Sequence, residues 1–79
     1  MPVYLQLSSI LRKYVKQYDP VKGLVLENAQ GKRIYEIIQE LNIPQEKVTS
    51  ILVNHMPARI NTIVNDGDKV ALVVALGGG

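Results

Sequence analysis

The segment that most restricts the fold of this chain is residues 69–76, KVALVVAL, because it is apolar on both faces of an extended strand. Alternation puts Val70, Leu72, Val74 and Leu76 on one face and Ala71, Val73 and Ala75 on the other. An edge strand normally carries charge that discourages pairing with other chains. We therefore predict a central strand, covered by helices on one face and by helices or a partner on the other.

The first part of the chain predicts a hairpin with a long connection. Residues 3–7 alternate apolar and polar side chains, which is typical of a strand with one face in the core. The following segment, SSILRKYVKQYDP, predicts a short helix that Ser8 or Ser9 caps and that Asp19-Pro20 ends. Residues 21–26 then predict a second strand, interrupted by Gly23.

One main helix is predicted for residues 34–41. Four apolar residues at helical spacing form its buried stripe, namely Ile34, Ile37, Ile38 and Leu41. Its start is weakly marked, because Gln30 and Gly31 are not strong N-cap residues. Its end is better marked, since Asn42 tolerates the left-handed conformation and Pro44 prevents regrowth.

The remaining segments complete an α+β domain. Residues 48–54 predict a third strand, NHMPAR a turn, and residues 60–64 a bridge strand or a single helical turn. The Asn-Asp-Gly-Asp sequence at 65–68 is a strong turn signal before the last strand. The expected architecture is a mixed sheet packed on one main helix, with a short additional helix after the first strand. The 79 residues suffice for one such domain.

Composition argues against several functional classes. The net charge is +2, and its densest cationic group, Arg12, Lys13 and Lys16, is interpreted as a solvated helix face rather than a nucleic-acid site. No cysteine is present, so neither a disulfide nor a thiolate metal site is expected. No signal peptide or membrane-length apolar stretch is recognised, and we expect a cytoplasmic protein without nucleic-acid, membrane or metal partners.

Three segments together resemble a known family. LNIPQEKVTSILVN, VNDGDKVALVVALGGG and SSILRKY are similar to the MoaD/ThiS family of sulfur-carrier proteins, which are ubiquitin-like proteins with a β-grasp fold. The leucine-arginine helix resembles the molybdopterin branch, the small subunit of molybdopterin synthase, most closely. The chain departs from that branch at 73–75, Val-Val-Ala in place of an aromatic-proline-proline run. It departs also at His55, where glycine is common. If that position needs a positive φ, His is tolerated better than a β-branched residue would be.

The resemblance implies a protein cosubstrate and not an enzyme. The reactive group would be the C-terminal carboxylate of Gly79. An E1-like enzyme would supply ATP and Mg²⁺ and adenylate that carboxylate, and a sulfur donor protein would convert it to a thiocarboxylate. A larger synthase subunit or another acceptor enzyme would then take the sulfur, with molybdopterin biosynthesis as the predicted pathway.

The terminal glycines suit this chemistry. We divide the chain into a β-grasp domain, residues 1–76, and a flexible glycine tail, residues 77–79. Gly77 and Gly78 lack a Cβ and make a thin thread that can enter a narrow channel. At about 3.3–3.6 Å per residue, the tail would extend roughly 10 Å. Partner contacts would involve what we call the docking patch, namely Ala71, Val73 and Ala75, with Leu76 at the base of the tail.

Other interpretations stay open. The docking patch could be core only, and the glycines could be an expression remnant or become terminal by proteolysis. A thiamine- or cysteine-pathway carrier, a ubiquitin-like modifier or a TGS-like binding domain would have a similar sequence. Among polar residues, His55 is expected to be a turn residue, Asp66 and Asp68 to cap backbone N–H groups, and Glu36 and Glu40 to be solvated.

Overall fold

The computed structural model of the protein describes residues 2–74, and its centre is a five-stranded mixed sheet. The sheet has the order β2-β1-β5-β3-β4. Its strands are β1 (Val3–Leu7), β2 (Leu24–Leu26), β3 (Ser50–Val53), β4 (Met56–Pro57) and β5 (Lys69–Val73). One α-helix, α1 (Ile34–Glu40), and two 3₁₀ helices, Ser9–Tyr14 and Gln45–Lys47, connect them.

The last described strand occupies the middle of the sheet. β5 runs parallel to β1, with Leu5 beside Val70, and antiparallel to β3, with Leu52 beside Ala71. The central position predicted from two-sided apolarity is confirmed, and so is the mixed sheet. The predicted strand extended to residue 76, whereas the observed strand ends at Val73, and residues 75–79 lie outside the described part of the chain.

The predicted antiparallel hairpin of β1 and β2 is confirmed, but β2 begins three residues later than predicted. The carboxylate of Asp19 accepts hydrogen bonds from the backbone N–H groups of Val21 and Lys22, at 2.8 and 3.1 Å. These bonds favour the charged carboxylate and lower the pKa of Asp19. They also hold residues 19–22 in a turn that leaves Val21 87% exposed.

The core lies on one face of the sheet. Side chains of β1, β5 and α1 belong to one buried cluster, including Leu5, Leu72, Ile34 and Ile38. The stripe predicted for the helix is therefore buried at Ile34, Ile37 and Ile38, while Leu41 is half-buried and packs against the cluster.

The two ends of α1 are held differently. At the start, the residue before the helix is Arg33, not Gln30 or Gly31, and Glu36 Oε1 accepts the Arg33 N–H at 2.9 Å. The N–H groups of Ile34 and Tyr35 donate to carbonyls of Thr62 and Ile60. The segment 60–64 thus supplies the carbonyl acceptors for the first N–H groups of the helix. The bridge predicted for this segment is confirmed as the pairing of Arg33 with Ile63.

At its C-terminal end the helix closes as predicted. Asn42 has φ +58°, and its N–H donates to Gln39 O, while the N–H of Ile43 donates to Ile38 O. These two bonds form the Schellman arrangement, which satisfies the last carbonyls of a helix.

Two local predictions are corrected, and one short helix was not predicted. The segment after β1 is a 3₁₀ helix, and neither Ser8 nor Ser9 caps it through its side chain. Residues 54–57 are not only a turn, because Met56–Pro57 forms β4 at the sheet edge, where proline is tolerated. Residues 45–47, which had no predicted element, form a short 3₁₀ helix.

The conformation of the Asn54-His55 turn between β3 and β4 shows how histidine is accommodated at position 55. Asn54 and His55 have φ of +52° and +70°, and Val53 pairs with Met56 across the two-residue loop. Two consecutive positive φ values are typical of the turn that matches strand twist in hairpins. His55 therefore occupies a position with a positive φ, the condition under which its tolerance was considered.

Within residues 2–74, no helix has the length and apolar character that crossing a membrane requires.

Candidate functional site

The end of β5 is where the described chain approaches the predicted reactive terminus, and both sides of that strand end are hydrogen-bonded. The carbonyl of Val73 accepts two hydrogen bonds from Thr49, one from its N–H at 2.9 Å and one from its Oγ1 at 3.0 Å. On the opposite side, the N–H of Val74 donates to Ser8 Oγ at 3.1 Å. The peptide between Val73 and Val74 is therefore held from β3 and from the end of β1 at once.

Ser8 takes part in three hydrogen bonds at this position, one through each of its polar groups. Its N–H donates to Leu72 O, which continues the pairing of β1 with β5 by one residue. Its carbonyl accepts the N–H of Leu11, because the chain turns here into the first 3₁₀ helix. With the carbonyl engaged in that turn, the hydroxyl takes the place of a backbone acceptor for Val74. This is the reason that Ser8 is not a side-chain cap for the 3₁₀ helix.

The predicted docking residues Ala71 and Val73 lie on the face of the sheet opposite the core. Val70 and Leu72 are buried, and alternation along β5 turns Ala71 and Val73 the other way. Both are half-buried, and neither belongs to the core cluster or to the apolar residues packed against it. We call this side of the sheet the open face. In the strand register, Gln6 and Leu52 lie beside Ala71, and Ser50 lies beside Val73.

Two shallow clefts flank Ala71 on the open face. The larger, of about 300 Å³, lies between the end of β1 and β5 and is lined in part by Ser8, Arg12 and Tyr18. The smaller, of about 140 Å³, is lined in part by His55 and Lys69. Arg12 and Lys69 bring positive charge to these clefts, and no Asp or Glu of residues 2–74 is among the lining residues.

The interpretation of Arg12, Lys13 and Lys16 as a solvated helix face is wrong for Arg12. Lys13 and Lys16 are exposed as predicted, whereas Arg12 is half-buried. Its Nε donates to Leu7 O at 3.0 Å, and its guanidinium lies 5.3 Å from the centre of the Tyr18 ring. The Tyr18 hydroxyl in turn accepts the N–H of Leu7 at 2.9 Å. Both polar groups of the last β1 residue are thereby satisfied, and Arg12 is a structural residue beside the larger cleft.

Asp68, in the turn before β5, has a structural role. Asp68 accepts the N–H of Asn65 at 2.9 Å and the side-chain amide of Asn54 at 3.0 Å, so it joins the 65–68 turn to the β3–β4 turn. The capping role predicted for Asp68 is confirmed. No group of three or more His, Asp or Glu side chains among residues 2–74 is placed to hold a metal ion.

Glu36 and Glu40 of α1 were both expected to be solvated, and this holds for Glu40 only. Glu40 pairs with Lys32 at 2.8 Å on the surface, in accordance with a solvated position. Glu36 is half-buried and binds the Arg33 N–H, so it stabilises the helix start and is not simply solvated.

Five predicted site residues, Ala75, Leu76, Gly77, Gly78 and Gly79, lie outside the described residues, so the structure brings together only Ala71 and Val73. Sequence reasoning missed Ser8 and Thr49 as residues of the strand end. A signal was present, because Ser8 follows the first predicted strand and Thr49 lies near the start of the third, but their common partner segment is distant in sequence.

Comparison with protein families gives a match over residues 12–79 to the model of the ThiS family. This chain belongs to the ThiS family. The match begins at Arg12 in the first 3₁₀ helix and includes the glycine tail. Comparison with curated proteins and with solved structures gave no significant match.

Membership confirms the coarser part of the predicted resemblance. ThiS family proteins are small ubiquitin-like sulfur carriers, not catalysts, and the small mixed sheet of this chain is consistent with their β-grasp fold. The family implies interaction with an E1-like enzyme and with sulfur-transfer partners. The molybdopterin branch, which the leucine-arginine segment favoured, remains a prediction.

Proposed function

We propose that this ThiS family protein carries sulfur as a thiocarboxylate on its C-terminal residue, Gly79, and delivers it in the cytoplasm to molybdopterin biosynthesis. The observation that carries the proposal is the family match through residues 77–79, which includes the predicted reactive end. The protein acts as a cosubstrate, because the chemistry takes place on a backbone carboxylate and not on a side chain.

The chemistry needs activation of a poor electrophile. A carboxylate oxygen of Gly79 attacks the α-phosphorus of ATP, with pyrophosphate as the leaving group, and forms an acyl-adenylate. The terminal sulfur of a persulfide on the donor protein then attacks the acyl carbon, AMP leaves, and an acyl disulfide forms. A second thiol attacks the donor sulfur of that S–S bond, becomes oxidised to a disulfide with it, and releases the thiocarboxylate. The E1-like enzyme holds ATP and Mg²⁺ during adenylation, so the carrier itself needs no resident cofactor.

The body of the protein contributes binding and orientation. A tail without side chains fits a narrow channel, but ordering it costs about 1–2 kcal/mol per residue. Contacts of Ala71 and Val73 on the open face, together with the predicted partner contacts of Ala75 and Leu76, would offset that cost. The positive clefts beside Ala71 favour a partner surface that carries acidic residues.

Truncation tests the proposal. Removal of Gly78 and Gly79 should abolish adenylation by the E1-like enzyme of the same source, measured as ATP–pyrophosphate exchange. The urea unfolding midpoint should stay at the wild-type value. A Gly78→Ala/Gly79→Ala variant keeps the chain length and the carboxylate but adds two methyl groups. We expect adenylation to fall by about tenfold in that variant, because the thread becomes wider.

Intact-protein mass spectrometry separates the carrier from its rivals. After co-expression with the activating enzyme and the sulfur donor, the wild-type mass should increase by the difference between sulfur and oxygen. Adducts on lysines of other proteins would instead favour a ubiquitin-like modifier. Full function of the truncated chain would favour a TGS-like binding domain and contradict the proposal. Delivery to thiamine in place of molybdopterin would overturn only the choice of pathway.

A further inference from the structure

We infer that Ser8 and Thr49 are positioning residues that fix the peptide between Val73 and Val74, the last peptide that the structure describes, and that this orients the chain end toward an activating enzyme. The inference rests on the proposed function. Their three hydrogen bonds to the peptide between Val73 and Val74 define what we call the clamp: two from Thr49 to Val73 O, and one from Val74 N–H to Ser8 Oγ.

The clamp acts on both sides of one peptide. A strand end that is paired on one side only frays readily, since few bonds oppose the gain in backbone entropy. Here the carbonyl points to Thr49 of one neighbour and the N–H to Ser8 of the other. These contacts span 24 and 66 residues of sequence, so they tie the strand end to the folded body and not to a local turn.

The position of the clamp sets an upper limit on the reach of the chain end. Five residues follow Val74, which gives a span of at most about 17–18 Å at 3.3–3.6 Å per residue. If the peptide were released, the same docked body would present the carboxylate over a wider volume. A smaller fraction of bound complexes would then have Gly79 placed for attack on ATP, because such reactions depend strongly on alignment.

Ser8→Ala tests this role by removing only the hydroxyl. In the free protein, the Val74 amide should exchange with solvent about tenfold faster by NMR. The Ser8 N–H, which donates to Leu72 O, provides an internal reference and should exchange at its wild-type rate. Unchanged exchange of Val74 would overturn the clamp whatever the function of the protein.

Kinetics separate positioning from docking. In ATP–pyrophosphate exchange with the E1-like enzyme, Ser8→Ala should lower kcat by about tenfold and leave KM for the carrier within about twofold, because the open face is intact. Ser8→Thr keeps the hydroxyl and should restore kcat. Ser9→Ala is the matched control, since Ser9 is an exposed neighbour outside the clamp, and it should behave as wild type.

A second variant tests the clamp independently, in case Ser8→Ala does not fold. Thr49→Val keeps the β-branched shape and the backbone bond but removes the Oγ1 bond, and it should lower kcat less than Ser8→Ala does. Wild-type kcat in both variants, with faster Val74 exchange, would overturn the positioning role alone. A wild-type chain that its activating enzyme does not adenylate would overturn the proposed function and the positioning role together.

Discussion

Gly23 is the position at which the backbone leaves no room for a side chain. It has φ +78°, and a Cβ at this site would lie 2.6 Å from the carbonyl oxygen of Leu5 in β1. Gly31 has a similar φ of +84°, but a Cβ there would have no neighbouring atom within 4 Å. A substitution at Gly31 therefore introduces backbone strain alone, whereas a substitution at Gly23 introduces both backbone strain and steric overlap.

We expect Gly31→Ala to lower the free energy of unfolding by about 1–2 kcal/mol, the cost of a left-handed conformation for a residue with a Cβ. Gly23→Ala should lower it by about 3 kcal/mol or more, because displacement of β1 backbone adds to that strain. Urea denaturation followed by circular dichroism measures both. Equal losses would show that β1 moves aside at no cost.

Single residues also show what sequence reasoning can reach. The left-handed conformations of Asn42 and His55 were predictable, because each depends on its own turn. The role of Ser8 was not, since a serine before a helix normally caps it, whereas here its hydroxyl binds a residue 66 positions away. Local rules failed where a long-range partner competed for the same oxygen.

The loop after the first 3₁₀ helix is held to β1 by one aromatic side chain. The Tyr18 hydroxyl accepts the Leu7 N–H, and the Tyr18 ring lies under Arg12, which binds the Leu7 carbonyl. Tyr18→Phe keeps the ring but leaves the N–H of Leu7, a buried residue, without this acceptor. We expect a loss of about 1–3 kcal/mol in the free energy of unfolding.

Tyr35→Phe is the control for that variant, because Tyr35 is exposed on α1. Thermal unfolding should show little change for Tyr35→Phe and a clear decrease for Tyr18→Phe. If the two midpoints were equal, a solvent molecule would have replaced the hydroxyl, and the loop would not depend on this bond.

Helices and strands were predictable to different degrees for physical reasons. The apolar stripe and the Asn42 signal identified α1 and its end, because both are local. Its start was obscure, since the carbonyls that accept from Ile34 and Tyr35 belong to residues 60–62. β4 has only two residues, one of them Pro57, so its sequence resembles a turn and only pairing with β3 reveals it.

At the scale of the whole domain, the two-sided apolarity of β5 is the feature that predicts the layout of the sheet. That pattern predicted the central position, and alternation separated Ala71 and Val73 from Val70 and Leu72, but only the structure shows that Ala71 and Val73 lie on the face away from the core. Which strands flank β5, and in which direction, could not be predicted, because register depends on contacts between β1, β3 and β5 that are distant in sequence. The clamp was hidden for the same reason, since it requires both neighbours to be known.

Docking and positioning are separable in this arrangement, and Ala71→Lys tests the docking part. Ala71 lies on the open face, away from the buried cluster, so a lysine stem can lie along the sheet with its charge in solvent. An added positive charge beside Arg12 and Lys69 would oppose contact at the centre of the patch. We expect KM for the carrier in ATP–pyrophosphate exchange to rise by about tenfold with kcat unchanged.

Gln39→Lys adds the same charge on the exposed side of α1 and should leave both constants at their wild-type values. The urea midpoint of Ala71→Lys serves to show that the sheet is intact. An unchanged KM in a folded Ala71→Lys protein would mean that the partner binds elsewhere. A decrease in kcat with constant KM would instead assign Ala71 to the orientation of the chain end, together with Ser8, and the open face would no longer be a docking surface.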